Sequence, residues 1–122
     1  MNSGGISEAR LDRVLMALAD PTRRAILARL SRGRARVTEL AEPFPISLNS
    51  VSKHIRVLER ARLVRRSVRG REHVLELDPK PLDEAAAWLD GQRALWTRRL
   101  SALDALLQEE DRTSRRSGKV RR

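Results

Sequence analysis

The prolines divide this chain of 122 residues into several short segments followed by one long segment. They fall at three points only, as Pro21, Pro43, Pro45, Pro79 and Pro81. Proline breaks a helix from within but is tolerated at its first position, and Asp20 can cap the free amides of a helix that begins at Pro21. Helices are therefore expected to begin or end at these three points, and no proline interrupts the chain after residue 81.

Apolar residues at helical spacing fill these segments. They predict a first helix that ends near Ala19, a second from Pro21 towards Gly33, and a short third helix around Leu40. Ser47 is the predicted cap of a fourth helix. A fifth helical pattern extends over 82–109. The sequence therefore predicts a mainly α protein.

The fourth predicted helix has two unlike faces. Its buried stripe is Val51, Ile55 and Leu58, because residues three and four positions apart share a helix face. The opposite face carries hydrogen-bonding and cationic side chains: Asn49, Lys53, Arg56 and Arg60, with Ser50 and Ser52 beside them. An α-helix fits the major groove of B-DNA, where each base pair presents a distinct pattern of donors and acceptors. These features are typical of a DNA-recognition helix.

A β-hairpin is predicted over 63–77, some distance after a basic connector at 34–36. Two runs with apolar residues at strand-like intervals flank the turn at Arg69-Gly70-Arg71. Arginines at a hairpin tip can reach flanking phosphates or the adjacent minor groove. Helix, turn, second helix and basic hairpin together predict a winged helix-turn-helix with about five helices and a two-stranded wing.

The net charge of +10 is unevenly distributed along the chain. Residues 21–77 carry 14 basic and 5 acidic side chains, and residues 111–122 carry 6 basic and 1 acidic. The remaining segments, 1–20 and 78–110, are mildly acidic. A solvated surface would not segregate charge in this way, so the basic segments indicate a binding face for a polyanion. The predicted partner is double-stranded DNA.

The long fifth helix carries two apolar stripes, which is more hydrophobic surface than one small domain can cover. Pairing across a two-fold axis would bury that surface and would space two recognition helices about 34 Å apart. We therefore expect a homodimer whose interface includes an exposed stripe of the first helix and one of the fifth: Leu11, Val14, Leu15, Leu18, Leu82, Leu89, Trp96, Leu100, Leu103 and Leu107.

The expected organisation is one domain between two flexible ends. Residues 1–9 are small and polar and are predicted to be flexible, residues 10–109 form the domain, and residues 110–122 form a basic disordered tail. The dimerisation helix occupies 82–109.

The composition excludes several classes of protein. The chain has no cysteine, which excludes a disulfide framework, a thiolate metal site and a thiol redox sensor. No apolar run approaches the roughly 20 residues of a membrane-spanning helix, and the first ten residues lack the apolar core of a signal peptide. No nucleophile–base pair or glycine-rich phosphate loop is present, so we expect no enzyme activity and no cofactor. We expect a cytoplasmic protein associated with the nucleoid.

Several segments resemble the ArsR/SmtB family of bacterial repressors. The run LADPTRRAIL at 18–27 is similar to the opening of that family's domain, and VTELA at 37–41 with SVSKHIRVLE at 50–59 resembles its helix-turn-helix. LVR at 63–65 and RGR at 69–71 resemble its wing. The resemblance covers most of the chain. It implies a homodimer that binds an inverted-repeat operator and a repression that a signal relieves.

Two features depart from the family's pattern. Metal-sensing members carry cysteines near the third helix or sets of His, Asp and Glu on the last helix. The last helix here carries only carboxylates, which bind transition metals poorly without imidazole: Asp83, Glu84, Asp90 and Asp104. We therefore expect no metal site and a resemblance to the metal-independent branch. Arg62 stands where many relatives have glycine, and a left-handed backbone there would cost about 1 kcal/mol.

The candidate DNA-binding residues lie on the fourth helix and the hairpin: Ser47, Asn49, Ser50, Ser52, Lys53, His54, Arg56, Arg60, Arg65, Arg66, Arg69 and Arg71. The alternative for His54 is local packing or hydrogen bonding, because it lies near the edge of the buried stripe. Trp88 and Trp96 favour core or dimer packing over a ligand pocket, since aromatic residues at helical spacing usually bury area.

Two other functions fit the same residues. One is an architectural DNA-binding protein that depends on charge alone and tolerates any sequence. The other is a protein-interaction module on a winged-helix scaffold, because a fold does not specify a function. The sequence leaves open the operator, the inducing signal and whether the effector is a small molecule or a protein.

Overall fold

The computed structural model describes residues 5–121, with side chains up to residue 116. Its elements in chain order are α1 (Glu8–Leu18), α2 (Pro21–Leu30), β1 (Ala35–Arg36), α3 (Val37–Ala41), α4 (Leu48–Arg60), β2 (Val64–Arg69), β3 (Glu72–Leu77) and α5 (Lys80–Arg121). The predicted winged helix-turn-helix with five helices is confirmed. One compact unit ends at Ala87 and a second begins at Trp88.

Side-chain caps explain where the first helices begin. Asp20 accepts a hydrogen bond from the Arg23 amide at 3.0 Å, and Pro21 occupies the first helical position of α2, as predicted. Ser47 accepts from the Ser50 amide at 3.1 Å and so caps α4. These local hydrogen bonds satisfy amides that have no partner inside a helix.

The core of the first unit joins α2, α3, α4 and the sheet. Val51, Ile55 and Leu58 of α4 are fully buried, which confirms the predicted stripe. They belong to one apolar cluster with Ile26 from α2, Leu40 from α3 and Leu75 from β3, among others. This packing gives α4 a single orientation, so that its polar face is directed away from the core.

The sheet has three strands rather than the predicted two. Its order is β1-β3-β2, and all pairs are antiparallel. The additional strand lies in the basic connector at 34–36, where Ala35 pairs with Leu75 and Arg36 pairs with Val74. Ala35 is buried in the core cluster, and this burial brings the connector to the free edge of β3. We call the hairpin formed by β2 and β3 the wing.

The predicted roles of the two chain ends need correction. Ile6 is buried and α1 begins at Glu8 with Ser7 as its cap, so the predicted flexible segment 1–9 is wrong from residue 6 onward. Residues 1–4 lie outside the described part of the chain.

The predicted disordered tail from 110 is also not what the structure contains, because α5 continues through Arg121. Ion pairs at helical spacing support this extension. Asp111 lies 2.9 Å from Arg115, and Glu109 lies 3.8 Å from Arg112.

The predicted exposed stripe of α1 is wrong for most of its members. Leu11 and Val14 are 3% and 1% exposed within the single chain, and Leu18 is half-buried against the core cluster. Leu82 of α5 packs against that cluster in the same way. These residues stabilise the first unit, because their apolar area is already removed from water. Only Leu15 of the α1 stripe remains exposed.

The second unit is helical and presents many large apolar side chains to solvent. Those with at least half of their surface exposed are Leu89, Trp96, Leu100, Leu103, Leu106 and Leu107. Within the described part of the chain, no helix combines the length and the apolar character needed to cross a membrane.

Arg62, which stands where many relatives have glycine, occupies the left-handed region with φ at 61°. Its amide donates to the Glu59 carbonyl at 2.9 Å and ends α4.

We expect Arg62→Gly to raise the free energy of unfolding by about 1 kcal/mol, because glycine removes the steric cost of this conformation. Chemical denaturation measures the change. Arg62→Ala is the control, and an equal gain in that variant would contradict the backbone explanation.

Candidate nucleic-acid interface

The outward face of α4 is exposed as the sequence predicted. Asn49, Lys53, Arg56 and Arg60 all lie on the solvent side, opposite the fully buried stripe. Among the described residues, no carboxylate lies within ion-pair distance of the three cations on this face. Their charges are therefore available to a polyanion.

The serines of α4 differ from one another in their availability. Ser47 donates from Oγ to the Ser50 Oγ at 3.0 Å and accepts from the Ser50 amide, so the two side chains hold the start of the helix. Ser50 and Ser52 are half-buried, which agrees with their predicted place beside the outward face. The side chain of Asn49 is exposed and has no hydrogen bond to another described residue.

His54 is engaged inside the first unit. Its Nδ1 lies 3.2 Å from Nη1 of Arg23 and 3.8 Å from Oδ2 of Asp20. Arg23 also donates to the carbonyls of Ala17 at 2.9 Å and Met16 at 2.8 Å, so it links the end of α1 to α4. The structure thus favours the local alternative for His54 over a phosphate contact. Asp20 and Arg23, which belong to the run LADPTRRAIL at 18–27, therefore have a structural role at this junction.

Asp20 stabilises this junction through its charge. The backbone hydrogen bond from Arg23 holds the pKa of the Asp20 carboxyl below its usual value, and the positive charge of Arg23 adds to this effect. A lowered pKa in the folded state means that the ionised carboxylate stabilises the fold above its unfolded pKa near 3.8. That contribution is lost as the pH falls through the lower, folded pKa.

We expect Asp20→Ala to lower the free energy of unfolding at pH 7 by about 1 kcal/mol, because the variant loses the cap of α2. Asp20→Asn retains most of the cap and is the matched control for the charge. The difference between wild type and Asp20→Asn should shrink as the pH falls below about 4. Urea denaturation at several pH values measures both effects, and a difference that grows with acid would contradict the assigned sign.

The wing arginines divide into two groups. Successive side chains along β2 point to opposite faces of the sheet, so Arg66 lies on the face opposite to Arg65, Ser67 and Arg69. Arg69 and Arg71 have no ion pair among the described residues, and Arg65 has only an exposed one, with Glu76 at 3.7 Å. Gly70 between the tip arginines has φ at 64°, as the first position of a tight hairpin turn requires.

Arg66 has several partners within the chain. Its guanidinium donates to both carboxylate oxygens of Glu59, at 2.9 and 3.1 Å, and its Nη1 lies 3.1 Å from Nδ1 of His73. The hydrogen bonds to Glu59 raise the pKa of Arg66 above its ordinary value. Arg66 is therefore occupied within the chain, unlike the arginines of the tip.

The structure brings two arginines of the connector close to the wing. Arg34 is exposed, has no ion pair among the described residues, and lines a basic groove of about 340 Å³ with Arg65 and Arg69. Arg36 lies 3.1 Å from Glu39 and 3.3 Å from Glu72. No local pattern predicts this placement, because β1 has only two residues and forms by pairing with distant β3.

Comparison with known proteins identifies relatives along most of the chain. The profile of the family described as "Helix-turn-helix domain" matches residues 18–67. The HTH-type transcriptional regulator Rv2034 of Mycobacterium tuberculosis is 43% identical over 99 residues, which cover 81% of this chain and 90% of that protein. The transcriptional repressor SdpR of Bacillus subtilis is 32% identical over 79 residues, covering 65% of this chain and 88% of the relative.

The fold of this chain is similarly close to solved structures. The crystal structure of the ArsR family transcriptional regulator RHA00566 superposes with a TM-score of 0.72 at 43% sequence identity. The match covers 76% of this chain and 96% of that chain. The shared region is thus longer than the stretch at 18–67 that matches the helix-turn-helix profile.

Proposed function

Because this chain belongs to the ArsR family of winged helix-turn-helix transcriptional regulators, we propose that it represses transcription as a homodimer on an inverted-repeat operator. The chain is a DNA-binding regulator of transcription. The observation that carries the proposal is the outward face of α4, whose amide and cationic side chains have no partner within the described chain. A helix with such a face can read base edges in the major groove.

The proposed roles of the α4 and wing side chains follow from their positions and their chemistry. Asn49, Lys53 and Arg56 would contact bases, because they lie on the first turns of the recognition helix α4 and are exposed. Arg69 and Arg71 would contact phosphates from the wing tip and would supply affinity that does not depend on sequence. Neither group needs a cofactor or a reacting side chain, so the proposal describes a binding protein.

Two observations support the homodimer and the repression. The exposed leucines of α5 form more apolar surface than a monomer usually leaves in water, and a second copy of the same helix would cover it. A two-fold pair of recognition helices would then match an inverted repeat. SdpR is a repressor, and blocking a promoter requires only that the dimer occupy its operator.

The experiment is selection of duplexes by the purified full chain from a random pool, followed by genome-wide footprinting. The proposal expects an enriched inverted repeat whose half-sites lie about one helical turn apart. Enrichment of no sequence despite tight binding would instead identify an architectural protein. Failure to bind any duplex at low salt would favour a protein-interaction module.

A further inference from the structure

The wing is anchored to the recognition helix by one bidentate ion pair. Arg66 of β2 donates from Nε and Nη2 to the two carboxylate oxygens of Glu59 on α4, and its third contact is His73 on β3. The guanidinium thus touches the recognition helix and the second wing strand at once. Two parallel N–H···O bonds restrict both distance and angle, which a single contact does not do.

Beyond this pair, the outer part of the wing has an exposed ion pair, between Arg36 of β1 and Glu72 of β3 at 3.3 Å, and little apolar packing. Only Val64 of the six β2 residues is buried, and Val68 towards the tip is exposed. Arg66 lies opposite Leu75, the last buried residue of the wing on the way to the tip. Val74, the next residue of β3 towards the tip, is only half-buried, and the Arg66–Glu59 pair is the one side-chain hydrogen-bonded contact between β2 and α4 among the described residues.

The surroundings of this pair differ from those of the other ion pair on β2. The side chains of Arg66 and Glu59 are 27% and 28% exposed, whereas those of Arg65 and Glu76 are 67% and 55% exposed. Exposed pairs contribute little, because water screens the charges and the side chains lose entropy. The partly buried, bidentate pair is therefore the one expected to resist motion of the wing.

We propose that Arg66 is a positioning residue, which with Glu59 holds the wing at the distance from α4 that lets the tip arginines and the recognition helix contact one duplex together. This inference rests on the proposed DNA-binding function and deepens it. It replaces the predicted role of Arg66 as a DNA contact. It also assigns a role to Glu59, which has the wrong charge for a DNA-binding surface.

The test compares two variants that change the net charge equally. Glu59→Gln and Glu76→Gln each remove one negative charge near the wing, and simple electrostatics expects both to tighten DNA binding. If Arg66 positions the wing, the affinity should fall in one variant only: Glu59→Gln should weaken binding to the selected duplex about five- to tenfold. If Arg66 instead contacts phosphate, Glu59→Gln releases it and binding tightens. Tightening in both variants would overturn the proposal.

Two further measurements separate anchoring from loss of folding. Arg66→Lys retains the charge but cannot make the bidentate pair, and it should show the same weakening as Glu59→Gln with an unchanged circular dichroism spectrum. In the DNA-free protein, Glu59→Gln should speed amide hydrogen exchange in β2 and β3 but not in α2, and Glu76→Gln should leave both unchanged. Exchange that rises equally in α2 would overturn the local anchor.

The outcomes distinguish this inference from the proposed function. A wild-type chain that binds its selected duplex while Glu59→Gln binds equally well refutes the positioning role and leaves the regulator intact. A wild-type chain that binds no duplex, with faster wing exchange in Glu59→Gln, refutes the proposed function and retains the anchor as a structural contact.

Discussion

Replacing Leu100 and Leu103 by glutamate is expected to convert the protein to a monomer and to lower its affinity for a two-half-site operator by at least about 100-fold. The two side chains are 63% and 52% exposed in the single chain, so the substitutions disturb no packing within the protomer. In the proposed dimer the same positions are buried, and an unpaired carboxylate there would be strongly destabilising. A monomer retains its α4 and wing but loses the second, linked half-site.

Sedimentation gives the oligomeric state of this variant, and titration against full-site and half-site duplexes gives its affinity. The matched control is Ser101→Glu with Ala105→Glu, which adds the same charges to the same helix at small side chains. The control should remain dimeric and should bind the full site normally. A Leu100→Glu, Leu103→Glu variant that sediments as a dimer and binds as wild type would refute the proposed interface.

Lys53→Ala and Arg56→Ala are each expected to weaken binding to the selected duplex by about 10- to 100-fold and to weaken binding to unrelated DNA much less. Both cations are exposed and free of ion pairs among the described residues, so removing either leaves no buried group unpaired. The loss should therefore report contact with DNA and should not alter the thermal midpoint. Binding isotherms on both duplexes at several salt concentrations measure the two affinities.

Variants of the wing arginines distinguish contacts with bases from contacts with phosphates. Arg69→Ala and Arg71→Ala should weaken all sequences alike and lower the salt slope by about one each, because they are proposed to contact phosphates. Arg98→Ala on α5 removes the same charge away from the proposed interface and should change neither affinity. Equal losses on both duplexes in all four α4 and wing variants would refute base reading by α4.

Much of the candidate site was predictable from residue spacing. The outward set of Asn49, Lys53, Arg56 and Arg60 followed from helical periodicity, because a helix that buries Val51 must turn those positions to solvent. The position of Arg69 and Arg71 at the wing tip was also predictable, because they flank the glycine of the predicted turn. What residue spacing could not predict is that the side chains of His54 and Arg66 have partners within the chain, because those partners come from other elements of the fold.

For the proposed dimer surface, too, residue spacing predicted part of the result and tertiary packing decided the rest. Exposure of Leu100 and Leu103 was expected because their helix has too many apolar positions for one small core. Leu11 and Val14 have the same spacing and the same chemistry, yet they are buried in their own chain. Periodicity identifies an apolar face but not what covers it, so intrachain and interchain burial look alike in a sequence.

The sequence by itself determined where the helices begin and which face of α4 is buried, because caps, prolines and apolar spacing act over a few neighbouring residues. Tertiary structure alone decided which arginines are free. Arg66 and Arg69 are identical side chains on one strand, but the first meets Glu59 and the second meets solvent. It also created β1, since two residues form a strand only when distant β3 offers its open edge.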